Sequence, residues 1–279
     1  MSGVDDERLG WVEVGERCFV RRYDSFDLSI GVVEGSDGLA VVDTRASLAE
    51  GRALRADVRR LSALPVRAVV NTHVHFDHTF GNAAFVDVPV VAHESVAVSL
   101  PRHREWLVGE IEAHPDDDPR NAEMTSTPVR IPDVTFSSVS TLQLGDRVLE
   151  LVHPGRGHTD GDVVVRVVDA DVVYAGDLIE QSEHPSYGED CWPLEWPATL
   201  ELLEQLVGAS TVLVPGHGAP VDREFLRDQR GHVATVAGAL RELAGQGLDV
   251  DAALRAGSWP YPAQDLRTAV ERGLAQLRA

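Results

Sequence analysis

The sequence predicts an α/β protein of two packed sheets with helices on their outer faces. Short apolar strands fall into two clusters, and helical segments separate and follow them. The chain has 279 residues, 43% of them hydrophobic, which suffices for a sizeable core. No internal repeat, low-complexity tract or linker divides it. One domain over 1–279 is therefore expected, with a helical extension from about residue 222.

The segments 17–22 (RCFVRR), 28–35 (LSIGVVEG) and 39–44 (LAVVDT) read as strands, and Ser36, Asp37 and Gly38 supply a hairpin turn. Residues 46–63 recur apolar at Leu54, Val58 and Leu61 with arginines between, the pattern of an amphipathic helix that Pro65 stops. Arg52, Arg55, Arg59 and Arg60 form its solvated face. A buried strand, 66–72 (VRAVVNT), follows. Residues 93–113 read as helix, and 114–133, polar and rich in proline and aspartate, as an exposed excursion. Strands return at 135–139, 147–154, 162–169 and 171–177, the last two joined by a turn at Ala170. A second irregular stretch, 180–197, leads to a helix over 198–208, a strand over 211–216, a long helix over 222–244 and a helical tail beyond 248.

All 25 cationic side chains are arginine, and the formal net charge is −20. Such a surface repels phosphate backbones, so no nucleic-acid partner is expected. Cys18 and Cys191 are too few for a disulfide framework or a thiolate zinc site, which makes a reducing compartment the default. The N-terminus lacks a basic start and an apolar stretch, and no apolar run approaches the roughly 18 residues of a membrane span. The expected location is the cytoplasm, with a small-molecule substrate and no membrane partner.

Residues 71–78 read NTHVHFDH. In an extended segment His73, His75 and Asp77 project to one side and His78 elsewhere, a geometry suited to two neighbouring metals. Imidazole nitrogen and carboxylate oxygen form the ligand set of zinc and also suit manganese or iron. Four side chains cannot complete two centres. Further candidates stand at strand exits beside glycine: His158 in GRGHTDG, Asp177 in YAGD and His217 in VPGHG. His93, His103, His114, His153, His184 and His232 lack such a setting and read as ordinary surface or core histidines.

With these motifs in this order, residues 17–220 resemble the metallo-β-lactamase fold hydrolases, glyoxalase II types among them. The resemblance implies a four-layer αββα sandwich with two divalent metal ions at one edge, zinc before iron or manganese. It assigns His73, His75 and His158 to the first ion, Asp77, His78 and His217 to the second, and Asp177 to a bridge. Asp43, ending LAVVD, matches the family's early aspartate and would orient a ligand loop or histidine through a hydrogen bond. The implied reaction is attack by a metal-bound hydroxide on the carbonyl of a small ester, thioester, lactone or related substrate, with Asp77 accepting a hydrogen bond from that hydroxide and assisting the leaving group.

Family β-lactamases typically carry cysteine or serine where this chain has Asp177, and glyoxalase II types hold glutathione with basic residues in a C-terminal region, whereas lysine is absent here. Other chemistries of the fold are phosphodiester cleavage, which the net charge opposes, iron-dependent redox catalysis, and a non-catalytic metal-binding role, which the full ligand set opposes. The stretch 180–197 follows Asp177 and is expected over the metals. Tyr187, Trp192 and Trp196 are candidates for an apolar wall there, and Arg156 and His184 for polar contacts.

Overall fold

Along β4 (Gly38–Val42) the side chains alternate between two cores, Leu39 and Val41 facing one and Ala40 and Val42 the other. This two-residue period sets the layering of the computed structural model, which describes residues 10–115 and 118–278. Hairpins join β1 (Val12–Gly15), β2 (Cys18–Tyr23), β3 (Leu28–Gly35) and β4. Helix α1 (Leu48–Leu61) then crosses to the parallel strand β5 (Val66–Val70). The short helix α2 (Phe76–Thr79), β6 (Val90–His93), α3 (Glu94–Ala113) and α4 (Asn121–Ser126) lead to β7 (Val134–Phe136). The second half runs β8 (Val139–Gln143), β9 (Val148–Val152), β10 (Val164–Val167), β11 (Val172–Glu180), α5 (Trp196–Gln205) and β12 (Val212–His217). Helices α6 (Arg223–Gly245), α7 (Val250–Ala256) and α8 (Arg267–Arg278) follow.

Hydrogen bonding runs β7-β6-β5-β4-β3-β12-β11-β10-β9-β8, with β2 and β1 attached through β3. The two halves meet at the pairing of His217 with Leu28. They share a core made of Val33, Ala40 and Val70 from one half and Leu151, Val165 and Tyr174 from the other. Outside the first half, Ile30, Val41 and Val69 pack with Leu54 and Val58 of α1. Outside the second, Val164, Val173 and Ile179 pack with Leu203 of α5, Val236 of α6 and Val270 of α8. The order of layers is helix, sheet, sheet, helix, as the sequence implies.

Several elements depart from the expectation. β1 and β6 were not anticipated, and the single strand expected over 135–139 divides into β7 and β8. The excursion at 114–133 contains α4, whose Asn121 and Met124 are buried, so part of this polar stretch folds onto the body of the protein. Cys18 and Cys191 are both buried free thiols. Among the described residues no helix is long and apolar enough to cross a membrane.

Tyr174 ties the two halves together. Its ring fills the space over Gly31, where an added Cβ would stand 2.5 Å from the ring. Its hydroxyl lies 3.0 Å from the Phe19 carbonyl and 3.3 Å from that of Val32. Tyr174→Phe removes this buried donor and should cost about 1 kcal/mol, read as a lowered denaturant midpoint. A midpoint identical to wild type would show that the hydroxyl contributes nothing to stability.

Candidate metal centre

The chain leaves β5 at Val70 and enters α2 at Phe76, so the histidine motif is a loop followed by one helical turn. This corrects the extended geometry expected from sequence. The amides of His78 and Thr79 both donate to the His75 carbonyl at 3.1 Å, which closes the turn. Neighbouring helical side chains diverge by about 100°. Asp77 Oδ2 nevertheless lies 3.5 Å from His78 Nε2, so these two can share one centre while His73 and His75, in the loop, serve another.

The structure brings all seven candidate ligands together. Ligand atoms of His73, His75, His158 and Asp177 lie within 4.8 Å of one another, as do those of Asp77, His78 and His217. The Asp177 carboxylate touches both groups: Oδ2 is 3.3 Å from His158 Nε2 and 3.2 Å from His217 Nε2, and Oδ1 is 3.2 Å from His78 Nε2. Asp177 lies within β11, which runs three residues beyond the strand exit expected there, beside β12, and a Cβ on Gly216 would come 1.8 Å from Asp177 Oδ1. Glycine in VPGHG is thus a requirement of the carboxylate beside it.

Each imidazole is fixed by the nitrogen that points away from the centre. His78 Nδ1 donates to Asp43 at 2.8 Å, His217 Nδ1 to the Phe26 carbonyl at 2.7 Å, and His158 Nδ1 to the Ser186 carbonyl at 3.0 Å. His75 turns the other way: Nε2 meets Asp190 at 3.1 Å, leaving Nδ1 2.9 Å from His158 Nε2. Thr72 Oγ donates to Asp43 at 2.8 Å and takes His73 Nδ1 at 3.0 Å. Asp43 therefore holds His78 directly and His73 through Thr72. Such outer partners select the tautomer that presents a lone pair to a metal.

The inward atoms fit divalent cations. His73 Nε2 and Asp177 Oδ1 are buried without any hydrogen-bond partner, a costly arrangement unless a cation lies between such donors. Burial, helped by the charge of His78, holds His73 well below the usual imidazole range, and burial lowers His158 to about 4. Burial would also lower His217, but Asp177 outweighs it and lifts this imidazole to about 10. Asp177 is held well below the usual carboxylate range: burial opposes ionisation, and His78 and His217 outweigh it. Burial would likewise lower His78, but Asp177 holds it well above the usual imidazole range, so a metal bound there would displace protons from His78 and His217.

A cavity of about 1110 Å³ opens beside Asp77, Asp177 and His217. Trp192 and His184 line it, whereas Tyr187 and Trp196 are buried and pack on each other, with ring centroids 5.1 Å apart, so they form no substrate wall. Arg156 stacks on Trp192 at 3.7 Å and pairs with Glu195. His103, expected to be an ordinary histidine, stands in the cavity, stacked on His75 at 5.0 Å and accepting the Phe76 amide at 3.1 Å. Its i,i+3 spacing from Trp106 on α3 was the available signal. His93 and His153 stack on each other at 4.1 Å, outside both ligand groups. Asp190 and Glu180 carried no signal, because each depends on how a loop or strand end doubles back.

Residues 26–252 match the metallo-beta-lactamase superfamily. A metallo-beta-lactamase type 2 from Bacillus cereus is 25% identical over 197 residues, 70% of this chain and 68% of that protein. The human acyl-coenzyme A thioesterase MBLAC2 is 27% identical over 207 residues, 68% of this chain and 72% of that protein. Among solved structures, the inverting sec-alkylsulfatase Pisa1 from Pseudomonas sp. superposes with a TM-score of 0.77 at 19% identity, over 94% of this chain and 50% of its own. With the superfamily pattern spanning β3 through α7, the chain belongs to the metallo-beta-lactamase superfamily of metal-dependent hydrolases.

Proposed function

We propose that this protein hydrolyses a small ester, thioester or lactone at its carbonyl with the aid of two divalent cations, zinc in preference to iron or manganese. The observation that supports this most is the inward donor set, in which His73 Nε2 and Asp177 Oδ1 are buried without a hydrogen bond while the outer nitrogen of every ligand histidine is engaged. His73, His75 and His158 would hold one cation and Asp77, His78 and His217 the other, with Asp177 between them. Nitrogen and oxygen donors without thiolate favour zinc in an open, catalytic setting.

Two such cations would polarise the carbonyl and lower the pKa of a shared water from 15.7 toward about 7. The protein supplies position and proton transfer. Asp77 lines the cavity, and although burial opposes its ionisation, His78 and then His217 hold it below the usual carboxylate range. Its carboxylate would accept a hydrogen bond from the attacking water and pass the proton to the departing oxygen or sulfur. No cysteine lines the cavity, so attack by water needs no covalent intermediate on a thiol. Of the relatives, the beta-lactamase and the thioesterase are named for cleavage at an acyl carbon, and a linear primary-alkylsulfatase from Pseudomonas sp., 27% identical over 244 residues, for cleavage of a sulfate ester. None of these names denotes a phosphodiester, and two of the three denote a carbonyl substrate.

The purified protein should contain close to two metal ions per chain by elemental analysis. Asp177→Ala should lower occupancy of both sites, and metal content equal to wild type would remove Asp177 from the centre. Asp43→Ala leaves His78 without its acceptor and should weaken metal affinity by about 10–100-fold in chelator competition. Wild-type affinity in that variant would leave Asp43 a purely structural residue. Trp192→Ala should raise KM roughly tenfold for the best substrate while metal content stays near two. Unaltered kinetics with a lowered melting temperature would instead mark Trp192 as a packing residue.

A further inference from the structure

The cavity carries more negative charge than two divalent cations would cancel. Its lining includes nine carboxylates and only two guanidiniums, those of Arg102 and Arg272. Asp77, Asp177 and Asp190 are engaged with the histidines of the centre. Asp24, Asp160, Glu183 and Glu189 have no ion-pair partner among the described residues. Arg272 is committed, donating to the Cys191 carbonyl at 3.1 Å. Two guanidiniums without an ion pair, one of them tied to a backbone carbonyl, therefore face four unpaired carboxylates. Charges of one sign in a concave, low-dielectric site focus the potential, and the chain as a whole adds a formal charge of −20.

A second feature of the same cavity points the same way. Phe26, Phe76, His103 and Trp106 form a continuous row of rings, with centroid separations of 5.4, 6.3 and 5.2 Å between successive members. Phe26 and Trp106 remain 36% and 40% exposed. One cation already rests on this row, the Arg120 guanidinium 4.1 Å from the Phe26 centroid. Exposed ring faces beside unpaired carboxylates are the recognition chemistry of an alkylammonium group.

We propose that the substrate of this cavity is cationic, an ester or thioester bearing an alkylammonium group, and that anionic acyl carriers, nucleotide-linked thioesters included, are excluded by charge. The proposal rests on the hydrolase function above. An ammonium group would lie against the rings and offset the carboxylates, whereas phosphates would be driven against Glu183 and Glu189 with only Arg102 and Arg272 to receive them.

The test uses three phenylacetyl esters of equal length on the metal-loaded protein: the choline ester, its neutral 3,3-dimethylbutyl isostere, and an isostere ending in carboxylate. kcat/KM should fall in the order cation, neutral, anion, with roughly a tenfold or larger gap between the extremes at low ionic strength. High salt should narrow that gap. The double variant Glu183→Gln, Glu189→Gln should narrow the cation-to-anion ratio, which is taken within one preparation and is insensitive to the fraction folded. The matching non-cleavable amides are titrated in parallel by tryptophan fluorescence. Turnover with equal rates, or with the anion fastest, overturns the charge preference and leaves the hydrolase function standing. Absence of turnover with the cationic amide binding tightest overturns the ester chemistry and keeps the charge preference, and absence of both turnover and binding order overturns both.

Discussion

The carboxylate of Asp43 is the constraint on which the centre depends. Its backbone sits at φ +66°, a conformation that ordinary residues avoid, and its amide donates to the Val70 carbonyl at 2.9 Å. From there its oxygens receive the Thr72 amide, the Thr72 hydroxyl and His78 Nδ1, each at 2.8 Å. Three hydrogen bonds to a buried carboxylate outweigh a strain of order 1–3 kcal/mol. The consequence is geometric: the ends of β4 and β5 and the start of α2 are tied to one side chain. Asn71 and Asn82 extend the tie, since Asn71 Nδ2 reaches the His78 carbonyl at 3.2 Å and Asn82 Nδ2 reaches Asn71 Oδ1 at 2.7 Å.

The second half of the chain reaches the same place by another route. Strand β12 ends on His217, and the pairing of His217 with Leu28 is where the two halves of the sheet join. Phe26, at φ +63°, turns its carbonyl toward His217 Nδ1 just before β3 begins. A histidine at the seam is therefore oriented by the first half and carried by the second. His158 is set by loops of the second half alone, with Asp162 receiving the Thr159 amide at 3.0 Å and hydroxyl at 2.7 Å to shape its turn. The centre exists only when both halves have closed on the shared core around Tyr174.

This division explains what the sequence discloses. Strands β3, β4, β5, β10 and β11 are legible because they bury apolar residues on two faces and are rich in valine, leucine and isoleucine, whereas β9 shows the alternation of a strand buried on one face. β6 was not, being four residues long and next to a helix of similar composition. β8 alternates exposed and half-buried positions, and its VSTLQ offers too little apolar contrast to announce a strand. His73, His75, Asp77 and His78 were visible as a cluster, whereas the helical turn that aims Asp77 and His78 depends on hydrogen bonds to the His75 carbonyl. Tyr187 reads as a substrate contact from its distance along the chain from Asp177, yet its ring gains more by burial against Trp196 than by exposure, and Trp196, at the start of α5, packs the loop as its place beside a helix start implies.

Asp190 limits how far the substrate-facing loop can drift. The ligand histidines and carboxylates are carried by segments other than the stretch after β11, which could in principle change without disturbing them. His75 breaks that independence, because its outer nitrogen is held by Asp190 in that same stretch, and the Ser186 carbonyl holds His158 from it as well. Two ligand tautomers are thus set by the segment that also presents Glu183, Glu189 and Trp192 to the cavity. Changes in what this loop recognises are confined to side chains between the two anchoring positions and beyond them, while the backbone path from Ser186 to Asp190 must stay in register with the metal ligands beneath it.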